Sequence, residues 1–298
     1  MTRDSKQMDR RALFTSGAAA ALFAATGVPA LAAPKRGGRL RVAVSGAARS
    51  DHWDAHVPQG LFMQMAMQGA VFDTLTEVSA DGILRGELAT GWHGSADAQD
   101  WTFDLRPGVT FHNGVAFCAQ DVVASLALHR DNALRNVVQV KAINPHRVQI
   151  TLAEADTDFA YRLSGPEFVI YPADHMDAAM TQGIGTGLYR VQHFQPGQQF
   201  LGARVASHWK DGTAGWFDQI ELASVPAMSV RVEALCCGYV DAAEVSDPAA
   251  LHGVPEIIML PSAKSVAQGV SDNIAVPNAV GAQRPFDNLR AAERWWMA

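Results

Sequence analysis

The chain has little cysteine and none of the short motifs that mark common enzymes. Its 298 residues include three cysteines, Cys118, Cys236 and Cys237, and no Cys-x-x-Cys pair, which excludes a disulfide framework and a zinc site built on paired cysteines. We expect the adjacent Cys236 and Cys237 to be small buried thiols on a helix rather than a strained bridge. No G-x-S-x-G, H-E-x-x-H or P-loop sequence occurs, so we expect a protein that is not an enzyme.

Charge and long apolar runs are also scarce. The net charge is −6 at pH 7, charged residues make up 18% of the chain, and the basic residues do not cluster, which argues against a nucleic-acid partner. The Ala-rich residues 18–28 are too few and too weakly apolar to span a membrane. A hydrophobic content of 48%, with 25 Gly and 14 Pro, is typical of a globular chain of one to three domains with a sizeable core.

Residues 1–32 have the pattern of an export signal. Arg10-Arg11 precedes an apolar segment, and Ala30-Leu31-Ala32 places small residues where a signal peptidase reads them. The pattern predicts cleavage after Ala32 and export to the periplasm. The twin arginine favours the Tat export machinery, with an ordinary Sec signal as the alternative.

Residues 100–125 are the most clearly patterned stretch of the mature chain. Apolar and polar residues alternate over 100–105, which predicts a half-buried strand. Residues 109–111 begin a second short strand, Asn113-Gly114 predicts a turn, and 119–130 has helical spacing. Elsewhere the apolar pattern predicts strands over 37–45, 148–152, 217–222 and 257–260, and helices over 61–75 and 231–237.

This stretch resembles the signature of the family 5 extracellular solute-binding proteins, the dipeptide-, oligopeptide- and nickel-binding receptors of ABC importers. Gly185-Thr186-Gly187, Gly238 to Asp241 and residues 284–290 resemble further motifs of the same family. We expect the glycines of the Gly-Thr-Gly motif to serve a crossover between lobes. The matching signature positions are Trp101, Thr102, Phe103, Leu105, Arg106, Gly108, Val109, Phe111, His112, Gly114, Phe117, Ala119, Asp121, Val122 and Ser125.

The resemblance implies an α/β fold of the type II periplasmic binding protein class, with two lobes and most of the second lobe missing. It implies a first-lobe core formed by residues 33–80 and 181–275, a subdomain over 81–180, and the start of a truncated second lobe over 276–298. We therefore expect binding to be weakened, because a cleft needs both walls to exclude water.

The function implied by the resemblance is a monomeric periplasmic receptor that binds a small peptide and delivers it to an ABC transporter permease, without a cofactor or a resident metal. A nickel, metal-chelate or haem receptor of the same family and a hydrolase are the alternatives. The ligand-binding residues that we predict are Ser45, Gly46, Trp92, Trp101 and Gly187.

Two histidine features leave alternative interpretations. His52 and His56 are four residues apart, a spacing that could hold a metal on a helix. The resemblance instead implies that residues 51–56 form a loop under the binding cleft. His112 could serve as a catalytic base, but its place in the signature favours a structural histidine beside the turn.

Overall fold

The computed structural model describes residues 36–78, 83–245 and 247–251, together with the strand segments 257–260 and 267–271. The predicted signal segment 1–32 and the predicted second-lobe segment 276–298 lie outside the described residues. The strands are β1 Arg39–Val44, β2 Thr76–Val78, β3 Leu84–Gly86, β4 Ala89–Gly94, β5 Asp100–Leu105, β6 Val137–Asn144, β7 Arg147–Leu152, β8 Tyr189–Gln195, β9 Gln199–Arg204, β10 Gln219–Ser224, β11 Ala242–Val245, β12 Ile257–Leu260 and β13 Ala267–Ser271.

Five α-helices occur in the described part of the chain, along with one π-helix and three 3₁₀ turns. Within that part, no helix combines the length and the apolar character needed to cross a bilayer. The α-helices are α1 Leu61–Gln64, α2 Ala119–Ala127, α3 Phe159–Arg162, α4 Met176–Gln182 and α5 Met228–Cys236; the π-helix is Met65–Val71, and the 3₁₀ turns are Pro166–Phe168, Ala173–His175 and Pro248–Leu251.

Seven strands form a mixed sheet in the order β12-β13-β11-β1-β10-β9-β8. The central strand β1 pairs in parallel with β10 and with β11, whereas the other pairs of this sheet are antiparallel. Leu40 and Val42 of β1 point into the larger hydrophobic core, and Ala43 points into a second cluster on the opposite face. Strand β1 is therefore covered on both faces, as parallel strands usually are.

A separate four-stranded antiparallel sheet has the order β4-β5-β7-β6. Trp101, Phe103 and Leu105 of β5 are buried in the core of this sheet, as the alternation predicted. Helix α2 begins at this core. The backbone N–H of Cys118 donates to Asp121 Oδ2 (2.7 Å), so a signature aspartate caps the helix.

Several predicted elements differ in detail from the structure. Residues 109–111 do not form a strand but make one isolated bridge, between Thr110 and Ala116. The helix predicted over 61–75 is α-helical for one turn and then π-helical, ending at Val71. Every residue of the π-helix is buried, so its apolar sequence carries no helical stripe that could reveal the change of pitch.

The prediction that Cys236 and Cys237 are buried was wrong. Both thiols are exposed, whereas the helix α5 buries Arg231 and Leu235. The predicted helix over 231–237 begins three residues earlier, at Met228, and the predicted strand over 257–260 is present as β12.

Candidate functional site

The two strongest sequence motifs meet in space through one histidine. His112 Nε2 donates to the carbonyl oxygen of Gly187 (2.8 Å), and the backbone N–H of His112 donates to the carbonyl oxygen of Gly185 (2.8 Å). Burial lowers the pKa of His112, so the ring is neutral at pH 7. His112 therefore holds the turn of residues 111–114 against the Gly-Thr-Gly motif, which is a structural role.

The glycines of that motif allow a close backbone approach. A Cβ at Gly185 would lie 1.9 Å from the carbonyl oxygen of Val71, and one at Gly187 would lie 2.3 Å from that of Ala70. Neither glycine has a positive φ, so room rather than backbone conformation requires glycine here. The motif packs on the π-helix Met65–Val71.

A buried ionic cluster lies beneath the motif. Lys210 Nζ lies 2.6 Å from Glu87 Oε1, 3.4 Å from Glu77 Oε2 and 3.5 Å from Asp73 Oδ1. All four side chains are less than a tenth exposed. Burial alone would raise the pKa of the Asp73 carboxyl, but Lys210 and the neighbouring His208 together hold it far below its ordinary value.

Trp209 connects this cluster to the four-stranded sheet. The guanidinium of Arg106 lies 3.9 Å from the centre of the Trp209 ring, and the ammonium of Lys210 lies 4.7 Å from it. Arg106 Nε also donates to the carbonyl oxygen of Glu87 (3.0 Å). The cations on the indole stabilise the junction between β5 and the segment after β9.

The predicted ligand residues Ser45 and Gly46 lie at the carboxyl end of β1. The N–H and the hydroxyl of Ser45 both donate to Glu244 Oε2, at 2.8 and 2.6 Å. Gly46 has a φ of +81°, and its carbonyl oxygen lies 1.9 Å from the position of a Cβ on Gly60. Gly46 borders the start of α1, and both residues follow the carboxyl end of a strand, where open α/β sheets bind ligands.

The other three predicted ligand residues lie elsewhere. Trp101 is buried in the core of the four-stranded sheet, and Trp92 packs against it from β4. Gly187 lies against the π-helix and borders a cavity with His112. The structure therefore separates the five residues into three places, and ligand contact at any of them stays a prediction.

A concave surface that we call the loop pocket lies beside the segment of residues 51–60. It has a volume of about 340 Å³ and brings together three parts of the chain that are far apart in sequence. A mostly apolar pocket with a few converging polar groups is the usual form of a small-molecule site. Its lining residues are Ala55, His56, Pro58, Gln59, Gln64, Met67, His129, Asn132, Ala133, Pro166 and Glu167.

The wall formed by residues 51–60 is fixed by buried hydrogen bonds. The hydroxyl of Tyr171 accepts from the N–H of Ala55 (2.8 Å) and donates to the carbonyl oxygen of Trp53 (2.7 Å). The Trp53 ring is buried against Phe194, with ring centres 4.6 Å apart. His56 Nδ1 pairs with Asp54 Oδ1. The loop is thus held in place before any ligand arrives, which lowers the entropic cost of binding.

The opposite wall is built by the turn that follows α2, which carries His129, Asn132 and Ala133, and by the 3₁₀ turn Pro166–Phe168. His129 is buried, and its ring meets Phe168 edge to face at 5.0 Å. Burial and the nearby His56 lower the pKa of His129, while a hydrogen bond with the backbone of Glu167 acts in the opposite direction. His129 is therefore a neutral, positioned side chain at pH 7.

The floor of the loop pocket includes Met67 from the π-helix. In this helix the N–H of Phe72 donates to the carbonyl oxygen of Met67 (2.7 Å), a five-residue step. Short π-helical segments occur often at functional sites. The neighbouring Gln68 is buried, and its Oε1 has no hydrogen-bond partner among the described residues, although its Nε2 donates to Ser164 O (3.2 Å).

A second cavity, which we call the motif crevice, lies between the turn of residues 111–114 and the end of β9. Its volume is about 440 Å³. Its two histidines are used by the fold, since His112 bonds Gly187 and His208 Nε2 lies 3.0 Å from the carbonyl oxygen of Thr186. Within the described residues, no group of three His, Cys, Asp or Glu side chains has a spacing suited to a metal ion.

Comparison with known proteins assigns this arrangement to a family. The family of bacterial extracellular solute-binding proteins, family 5 Middle, matches residues 84–291. The chain is a family 5 solute-binding protein. The family is one of binding proteins rather than enzymes, and its solute-binding members are extracellular or periplasmic.

Relatives of this solute-binding protein bind different solutes. The nickel-binding periplasmic protein of Escherichia coli K12 is 30% identical over 192 residues, which cover 60% of this chain and 36% of the relative. The di/tripeptide-binding protein 1 of Pseudomonas aeruginosa UCBPP-PA14 is 26% identical over 267 residues, which cover 76% of this chain and 48% of the relative. The chain thus spans at most about half the length of these relatives.

A solved structure confirms the predicted fold class. The ABC transporter-associated periplasmic binding protein DppA of Helicobacter pylori, in complex with the peptide STSA, superposes with a TM-score of 0.67. Identity is 21%, and the match covers 76% of this chain and 51% of that one. The fold of this chain is therefore that of the type II periplasmic binding proteins.

Most of the loop pocket was missed by sequence reasoning. The resemblance placed residues 51–56 under a binding cleft, and the structure places Ala55 and His56 in the pocket wall. Gln59, His129 and Glu167 carry no motif and come together only through folding. A histidine within the helix predicted over 119–130, His129, was the local sequence signal that could have been followed; the structure places it two residues after α2.

Proposed function

We propose that this solute-binding protein captures small peptides in the periplasm and delivers them to an ABC transporter permease, and that the loop pocket is the surface of this chain that contacts the peptide. The pocket carries the proposal, because it joins a preformed loop, an apolar floor and hydrogen-bonding side chains in one concavity. The di/tripeptide-binding relative and the peptide complex of similar fold support peptides as the solute.

The test is thermal unfolding of the full chain with and without a mixed library of di- to pentapeptides. A ligand that binds the folded state alone stabilises it by about 2.7 kcal/mol at a concentration one hundred times its Kd. We expect the unfolding temperature to rise with peptides. A transition that no peptide shifts would contradict the proposal.

Two matched variants locate the binding surface. Ala133 lines the loop pocket and Ala206 lines the motif crevice, and both are exposed. We expect Ala133→Trp to fill the pocket and abolish the peptide-induced shift, while Ala206→Trp leaves the shift intact. The opposite pattern would move the site to the crevice.

A nickel chelate is the second candidate solute. His56 and His129 both line the loop pocket, and one relative in sequence, 30% identical, is a nickel-binding protein. Because the described residues hold no set of three metal ligands, a chelate that supplies its own ligands fits better than a bare ion. Titration with a nickel–histidine complex tests this. Binding that His56→Ala removes and the exposed-site variant His146→Ala retains would favour the chelate over peptides.

We also propose that residues 1–32 direct export through the Tat machinery. Fractionation of cells that express the full chain tests the route. Replacement of Arg10 and Arg11 by lysine is expected to stop export, while Arg3→Lys does not. Continued export of the double variant would favour the Sec route.

A further inference from the structure

The loop pocket has an unusual charge composition. Among the described residues that line it, the carboxylate of Glu167 is the one formal charge, and none is lysine or arginine. The two histidines do not offset it: His129 is neutral at pH 7, because burial lowers its pKa, and His56 is paired with Asp54. The inference that follows rests on the proposed receptor function, because it concerns what this pocket selects.

The Glu167 carboxylate is held near the pocket by local structure. Glu167 lies in the 3₁₀ turn Pro166–Phe168, which Pro166 starts and the buried Phe168 ring anchors in the core. Its side chain folds back over Gly165, where a Cβ would lie 2.6 Å from Oε2. Gly165 has an ordinary φ of −66°, so glycine here provides room for the carboxylate.

This carboxylate is not used by the fold. Among the described residues, Glu167 side-chain oxygens make no hydrogen bond and no ion pair, whereas Glu87 and Asp73 are both bonded within the Lys210 cluster. Glu167 is half-buried and lines the pocket, so its hydration is incomplete. A partly desolvated carboxylate without a partner gains most from a charge-assisted hydrogen bond with a cation.

We infer that the loop pocket selects solutes that present a positively charged nitrogen, an ammonium or a guanidinium, to Glu167, and that it rejects solutes that present a free carboxylate there. The same wall that attracts the cation repels an anion, and it has no basic side chain to compensate a carboxylate that loses its water. Discrimination therefore comes from attraction and repulsion together. Glu167 is the specificity-determining residue of this wall.

The test compares peptides that differ only in their terminal charges. Trialanine amide carries an ammonium and no carboxylate, and N-acetyl-trialanine carries a carboxylate and no ammonium. Binding of each to the full chain is measured by calorimetry at pH 7. We expect trialanine amide to bind at least about tenfold more tightly, since one charge-assisted hydrogen bond is worth that much in Kd.

Three variants assign the preference to one residue. Glu167→Gln is expected to remove the preference and Glu167→Arg to reverse it, while Glu154→Gln, at an exposed loop carboxylate, retains it. Each variant must unfold at the temperature of the unmodified chain, which shows that the fold is intact. Retention of the preference in Glu167→Gln would overturn the inference.

The outcomes separate the inference from the proposed function. If both peptides bind equally, or the carboxylate peptide binds better, the receptor function stands and the cation preference is wrong. If neither of these peptides nor the library binds, the peptide receptor function fails, and the inference fails with it.

Discussion

Replacing Lys210 with methionine tests whether the buried ionic cluster holds the fold together. The substitution keeps the length of the side chain and its packing under Trp209 but removes the ammonium. Three carboxylates, those of Asp73, Glu77 and Glu87, then stay buried with much less compensation. Arg106 still acts electrostatically on Asp73 and Glu87, and His208 Nε2 still lies 3.9 Å from Asp73 Oδ2.

The size of the effect follows from the burial of the cluster. Lys210 is 6% exposed, so water screens its three contacts very little. Removing one partner of a buried ion pair costs about 3–5 kcal/mol, because the remaining charge is left uncompensated. The free energy of unfolding of a folded domain is about 5–15 kcal/mol, so Lys210→Met should remove a large fraction of the stability of this chain.

The pH dependence of the loss gives an independent check. In the unmodified chain the folded pKa of Asp73 is lowered, so its stabilisation is present above the unfolded value of about 3.9 and does not change between pH 7 and pH 5. In Lys210→Met, burial raises the pKa of the carboxyls, and they take up protons in the folded state as the pH falls. The difference in unfolding free energy between the two proteins should therefore shrink from pH 7 to pH 5.

Urea denaturation of the full chain at pH 7 and pH 5 measures both effects. Lys141→Met is the matched control, because Lys141 is exposed on β6. A double variant, Lys210→Met with Glu87→Gln, should recover part of the loss by neutralising the carboxylate closest to the lysine. A loss no larger than that of Lys141→Met, or one that is the same at both pH values, would refute the reasoning.

Three further predictions follow from the packing and the hydrogen bonds. Gly187→Ala should lower the free energy of unfolding by about 1–3 kcal/mol, because the added Cβ would lie 2.3 Å from the Ala70 carbonyl oxygen. The control Gly91→Ala should lower it much less, because no atom lies within 4 Å of a Cβ there. Equal losses of stability in urea denaturation would contradict the packing argument. Tyr171→Phe should lower the free energy of unfolding by about 1–3 kcal/mol, because it leaves the N–H of Ala55 and the carbonyl oxygen of Trp53 unpaired. It should also speed amide hydrogen exchange in the segment of residues 51–60. Unchanged exchange there would count against the anchoring role of Tyr171. Because the folded pKa of His112 is lowered, the unfolded chain binds a proton at higher pH than the folded chain does. The free energy of unfolding should therefore fall as the pH decreases from about 6.5 towards the folded pKa, and His112→Gln should make that fall smaller. An identical dependence on pH in the variant would disprove this role of His112.

The predictions that succeeded depended on local pattern. Strand β5 was foreseen because its side chains alternate between core and surface, and strand β1 because the apolar Leu40, Val42 and Val44 stand at every second position. The turn at Asn113-Gly114 was foreseen because an Asn-Gly pair favours a turn that needs a positive φ, and Gly114 adopts a φ of +86°. Each of these features is fixed by a few consecutive residues.

The features that were missed depend on residues far apart in sequence. Asp73, Glu77, Glu87 and Lys210 carry no common spacing, because a buried charge needs its partner in space rather than at a fixed interval. The loop pocket is assembled in the same way from three distant segments. The exposure of Cys236 could not be foreseen, since the depth to which the last turn of a helix is covered is decided by its neighbours.

The pairing of β1 has a consequence for the order of events during synthesis. Arg39 lies opposite Gln219, 180 residues later in the chain, and the other neighbour of β1, strand β11, comes later still. At about 5–20 residues per second, the ribosome needs on the order of 10 to 40 s after making β1 to synthesise β10, the strand with which β1 pairs. During that time an apolar segment with both edges unpaired must be kept from aggregating. A chaperone that holds residues 39–44 until residue 224 has emerged would therefore protect the strand until its partner is available.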